Sequence, residues 1–150
     1  MKDLFVKKNT VEIINRINQL TEITKPIWGK MSVDQMLAHC CVPYEFVYDK
    51  VNKKSNRFKK LMLKLFVKKF VVSEKPYQKN GQTASGFLIK NRREFETEKT
   101  RLIHYINKTQ ELGGDYFEGK ESHSFGALTK KEWNTMFYKH LNHHLTQFGV

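Results

Sequence analysis

Four stretches of this chain repeat apolar residues at helical spacing, and about 40 residues separate the second stretch from the third. The first predicts a helix over Thr10–Leu20, with Val11, Ile14, Ile17 and Leu20 in steps of three and Asn9 and Glu12 at the N-cap and N3 positions. Pro26 and Gly29 in "TEITKPIWGKM" stop it. The second opens on the capping box "SVDQ" at Ser32 and carries Val33, Met36, Leu37, Cys40, Tyr44, Val47 and Val51, with a kink expected near residues 39–43 because of Pro43. The third runs over Arg92–Leu112, with Phe95, Leu102, Ile106 and Thr109 on one face, and Gly113 and Gly114 end it. The fourth begins with the capping box "TKKE" at Thr129 and runs to Phe148. Its stripe is Trp133, Met136, Phe137, His140, Leu141, His144 and Phe148. With short loops elsewhere, the long gap permits a crossover in place of a tight hairpin and lets helices two and three run parallel. One domain over residues 1–150, all-α and built as a four-helix bundle, is the expectation.

No apolar run approaches the roughly 20 residues of a bilayer span. The opening "MKDLFVKKNT" lacks the apolar core of a signal peptide. Cytoplasmic residence is therefore expected. Cys40 and Cys41 are adjacent, a spacing that seldom closes a relaxed disulfide, and they read as small helix residues in a reducing compartment. The net charge of +12 is concentrated in one place. Between Val51 and Arg93 stand 13 Lys or Arg and one acid, Glu74, while the rest of the chain balances 14 bases with 14 acids. This is a neutral body with one basic segment, and nucleic acid is not its expected partner.

Two histidines occupy the centre of the fourth stripe. His140 and His144 stand at i, i+4, so both rings point the same way one turn apart, the spacing by which one helix gives two nitrogens to one metal ion. His143 lies nearer the stripe edge, and Gln147, one turn beyond His144, is placed to hydrogen-bond to a ring. The pair needs a third ligand. His39 is the first candidate, although periodicity puts it at the flank of helix two, roughly 60° from Met36. His104, which reads as a surface residue, and His123, in the "HSFGAL" loop, are its competitors. Glu98 and, less favoured, Asp34 are candidates to accept a free ring N–H from behind, as is His123.

The stretches "WGKMSVDQMLAHC" and "SFGALTKKEWNTMFYKHLNHHLTQFGV" resemble the DinB/YfiT-like superfamily of metal-binding helical bundles, and more closely a branch of it whose function is unknown. The resemblance covers about the whole chain. It implies a four-helix bundle in up-down-down-up order, with a long crossover between helices two and three. It also implies a metal on His39, His140 and His144, with Gln147 matching the glutamine that follows the pair. The basic connection over 51–90 matches no function of that family. Characterised members include transferases that use low-molecular-weight thiols such as bacillithiol or mycothiol, as well as hydrolases and isomerases.

Three neutral imidazoles leave an open position on an ion, where a thiol binds as thiolate or water is acidified to a pKa of about 7. Nitrogen donors suit zinc, nickel or iron(II). The expected function is a divalent-metal-dependent enzyme acting on a small molecule, a thiol (S-)transferase being the leading form. The alternative is a non-catalytic metal- or ligand-binding bundle whose basic surface contacts an anionic membrane or a partner, and a homodimer is compatible with either. "RFKKLMLKLFVKKFVV" reads as an amphipathic helix, with Phe58, Leu61, Met62, Leu65 and Phe66 on one side and Lys60, Lys64 and Lys68 on the other. The simplest expectation is that this apolar side packs on the bundle and the lysines face water.

Overall fold

A computed structural model describes residues 1–49 and 57–150 of the 150-residue chain. The protein is mostly helical, in the order α1 (Lys7–Asn18), α2 (Val33–Tyr48), α3 (Arg57–Met62), a π-helical turn (Leu63–Val67), α4 (Lys68–Val71), α5 (Phe95–Phe117) and α6 (Lys130–Gln147). Helices α1, α2, α5 and α6 surround one core. α2 packs along α5 and also meets α6, while α1 touches both α5 and α6. The segment that contains α3 and α4 follows α2, as the long gap in the apolar pattern implies. Among the described residues, no helix is long and apolar enough to cross a membrane.

Three of the four long helices start on capping side chains, and α1 does not. Glu132 accepts the Thr129 N–H at 3.0 Å, and the Thr129 hydroxyl accepts the Glu132 N–H at 3.2 Å, which fixes the start of α6. Because α6 carries two of the three histidines, Thr129→Ala is expected to cost about 1 kcal/mol in urea unfolding without moving the site. Gln35 accepts the Ser32 N–H at 3.1 Å at the start of α2. That helix runs through Pro43 as one element, and Val51, the last stripe position expected of it, lies outside the described residues. α1 begins three residues before the expected Thr10, because the Asn9 amide donates to the Asp3 carbonyl at 2.8 Å and does not cap the helix. α5 begins at Phe95, where the Glu94 carboxylate accepts the N–H groups of Glu96 and Thr97.

Gly113 interrupts α5 as expected, yet the chain resumes for one more turn. Its φ of 70° and ψ of 169° lie where side chains other than glycine are strained. The break turns Phe117 inward, where it is fully buried and its ring lies 5.7 Å from both Trp133 and Phe137. Phe137 also stacks on Tyr44 of α2 at 4.7 Å, so aromatic contacts tie three helices together. A short antiparallel ribbon, β1 (Glu121–Ser122) paired with β2 (Gly126–Ala127), follows and was not expected.

The crossover packs with the opposite face from the one expected. Leu61, Met62, Leu65 and Phe66 are exposed, as is Phe58, while Leu63, Val71 and Val72 pack against the core. The Lys68 ammonium pairs with Glu132 at 3.0 Å and so does not simply face water, whereas Lys64 and Lys69 are exposed. The Lys60 side chain lies outside the described residues. Lys139 of α6 is buried and donates to the carbonyls of Phe70 (2.7 Å) and Ser73 (2.6 Å) at the end of α4. Burial brings its pKa down to about 8.

Candidate metal centre

α2 and α6 bring His39, His140 and His144 to one point. Their ring centroids form a near-equilateral triangle: 4.7 Å from His39 to His140, 4.6 Å from His39 to His144 and 4.8 Å between the last two. One nitrogen from each ring lies within 4.8 Å of the others. His39 and His144 are buried and His140 is partly buried. Burial holds all three rings below the ordinary imidazole pKa, His140 well below it and His144 at about 3, with the neighbouring His39 adding to the effect at both. At neutral pH they are uncharged, the form that binds a metal.

Two of the rings are oriented from behind. His39 Nδ1 lies 2.9 Å from the Phe87 carbonyl, in the short 3₁₀ turn Ser85–Phe87 of the crossover. A carbonyl only accepts, so the His39 proton sits on Nδ1 and its Nε2 is left as a lone pair. His144 Nδ1 lies 2.8 Å from Gln147 Oε1, and the Gln147 amide donates in turn to the Trp28 carbonyl at 2.7 Å. This chain fixes the same tautomer on His144. His39 Nε2 and His140 Nε2 stand 2.9 Å apart, and with the His39 proton on Nδ1 a hydrogen between these two nitrogens belongs to His140. For His140 Nε2 to serve as a ligand, its proton would sit on Nδ1.

The donor set fits a divalent ion. A tetrahedral ion with bonds of about 2.0–2.1 Å holds its ligand atoms about 3.4 Å apart, and side-chain rotation covers the difference from the observed spacing. Backbone and amide acceptors behind two of the three rings are the usual support for such ligands.

Gly29 makes this support possible. Its φ is +86°, and a Cβ there would stand 2.4 Å from Gln147 Nε2. The loop between α1 and α2 closes on the end of α6 through this contact and through the Ile27 N–H, which donates to the Gln147 carbonyl at 2.8 Å.

The other candidates fall elsewhere. Glu98 is buried but faces Arg101, 2.5 Å away, because the basic partner stands one turn along the same helix; it is not behind the histidines. Asp34 stays at the start of α2, accepting the Arg93 N–H at 2.7 Å. His104 is exposed. His123 is outside the cluster and stacks flat on Phe46 at 4.6 Å. His143 sits between Trp28 and Tyr77, with ring distances of 5.9 and 5.7 Å. Cys40 and Cys41 are free and buried, and burial raises both thiols, Cys41 to about 12, so neither is a ready nucleophile.

The triad forms part of the wall of a cavity of about 780 Å³. Phe46, Val67, Phe87 and Trp133 give it an apolar body, and His123, His143, Ser124 and Gln78 are among its polar groups. No Asp or Glu is among the described residues that line it.

The fold and site define a helical protein with a three-histidine cluster. The chain belongs to the family described as "Protein of unknown function (DUF1569)", which it matches over residues 3–149. No curated protein and no solved structure matches it.

Proposed function

We propose that this protein is a divalent-metal-dependent enzyme acting on a small molecule with an apolar body, with His39, His140 and His144 as the metal ligands. One observation carries the reading: three neutral imidazoles, two of them held from behind, converge on a large cavity without a carboxylate among its described lining residues. A DinB-like four-helix bundle in up-down-down-up order is part of the same reading. The packing of α2 along α5 and the long segment between them support it. The free, buried thiols suit a cytoplasmic setting.

A divalent ion held by three histidines supplies a Lewis acid that lowers the pKa of a bound thiol or water. No carboxylate is among the described residues that line the site, so an anionic ligand is favoured over a neutral one. This points to a thiol as one substrate and makes thiol transfer the leading reaction. Proton transfer falls to the cavity histidines outside the triad. Burial keeps His143 below its ordinary pKa, so it is neutral and able to accept a proton at pH 7. Nitrogen donors suit zinc, nickel or iron(II).

Cobalt-substituted protein tests the thiol reading. Titration with 2-mercaptoethanol is expected to produce a sulfur-to-metal charge-transfer band that saturates, and His144→Ala is expected to lack it. A spectrum unchanged at saturating thiol would remove the transferase reading and leave hydrolysis or ligand binding at the same metal.

A further inference from the structure

The crossover helix over residues 57–71 is apolar on two opposite sides. Leu63, Val67 and Val71 line the histidine cavity. Leu61, Met62, Leu65 and Phe66 face outward, with Leu65 62 % and Phe66 69 % exposed. The π-helical turn Leu63–Val67 lies where the two sets interleave. Adjacent exposed leucine, methionine and phenylalanine side chains have an unfavourable contact with water that a structural connection does not require. The same stretch is the basic part of the chain, with 13 Lys or Arg and one acid between Val51 and Arg93. Lys64 and Lys69 are exposed on the same helix, Lys64 with its side chain running past Gly126 of the β-ribbon.

We propose that the outward face of this helix docks on an anionic lipid bilayer, with Leu61, Met62, Leu65 and Phe66 entering the headgroup–acyl boundary and the lysines meeting lipid phosphates. An apolar face flanked by lysines matches an interfacial helix in both respects. Nucleic acid would be met by the lysines alone and gives the four apolar side chains nothing to enter. The proposal stands without a metal. It has a consequence for the cavity: a bilayer on the outer side of this helix is one helix diameter, about 10 Å, from Leu63 and Val67 on the inner side. Docking would hold the cavity beside an apolar phase.

The test uses the full chain and vesicles of equimolar phosphatidylglycerol and phosphatidylcholine, with pure phosphatidylcholine as the comparison. Wild-type protein is expected to sediment with the anionic vesicles at low salt and not with the neutral ones. L65D/F66D and K64E/K69E are each expected to weaken the partition about tenfold or more. These four side chains are exposed, so both variants should keep the wild-type melting temperature and circular dichroism. A loss of binding by the charge variant with full retention by L65D/F66D would overturn insertion. So would absence of wild-type binding to anionic vesicles, or binding to duplex DNA in preference to them.

Discussion

Alanine at His39, His140 or His144 is expected to strip the protein of most of its metal, whereas alanine at His143 or His104 is not. Each of the three rings offers one nitrogen, and those nitrogens are the only His, Cys, Asp or Glu ligand atoms among the described residues grouped closely enough to share an ion. Removing one leaves two, fewer than the three protein ligands that a catalytic site of this type uses. His39→Ala has a second effect: it takes the donor from the Phe87 carbonyl, which then lacks its partner at a cost of about 1–3 kcal/mol. Gln147→Ala is the graded case. It leaves all three ligands in place but removes the acceptor behind His144, so metal affinity should fall about 10–100-fold. Elemental analysis of protein purified without a histidine tag measures the first effect, and competition with a chelating dye measures the second. A chelator should lower the melting temperature of the wild type and hardly change that of the triad variants. Stoichiometric metal of unchanged affinity in His39→Ala would refute the cross-helix site.

The parts of this site that could be read in the sequence are those set within one helix. The i, i+4 spacing of His140 and His144 and the capping box at Thr129 needed no tertiary information, and both stand in the structure. Gln147 follows the same local logic, three residues from the ring it holds. His39 was harder. Periodicity put it on the flank of its helix, but α2 is buried almost all round between Val33 and Tyr44, so it has no flank in the usual sense. Its place on a neighbouring helix put it ahead of His123, and the resemblance carried by "WGKMSVDQMLAHC" strengthened that order. The acceptors behind the ligands were not legible. Phe87 reaches His39 across 48 residues and Trp28 reaches Gln147 across 119, and both act through backbone carbonyls, which every residue possesses. Glu98 misled because its apolar neighbours suggested a place beside the site, although Arg101 three positions on gave a local partner. The crossover misled in another way. Its apolar residues occupy two faces, and the pattern cannot say which faces inward.

Metal-free protein is expected to lose stability steeply as the pH falls from 7 to 5. In the unfolded chain each histidine titrates near 6.5, whereas in the folded protein burial holds His39, His140 and His144 lower, His144 at about 3. The unfolded chain therefore binds more protons in this range. Stability from these depressed values is present above pH 6.5 and is lost as the pH falls toward the folded values. Below pH 6.5 a ring that stays uncharged in the folded protein contributes a slope that approaches about 1.4 kcal/mol per pH unit; His144 and His140, the two held furthest down, carry most of the loss, and His39 adds to it in the same direction. His143, also lowered by burial, adds to the same trend. Carboxylates do not obscure it. The depressed groups Asp34 and Glu132 start from ordinary values of 3.8 and 4.5, and their effect comes below this window. Urea unfolding at half-unit pH steps measures the slope, and His144→Gln should make it shallower by up to about 1.4 kcal/mol per pH unit. Bound metal adds stability at neutral pH and is released on acidification, because protons and the ion compete for the same nitrogens. The loaded protein should therefore start higher and converge on the metal-free curve. A metal-free protein equally stable at pH 7 and pH 5 would mean that the folded rings take up protons as freely as unfolded ones and would overturn the desolvated triad.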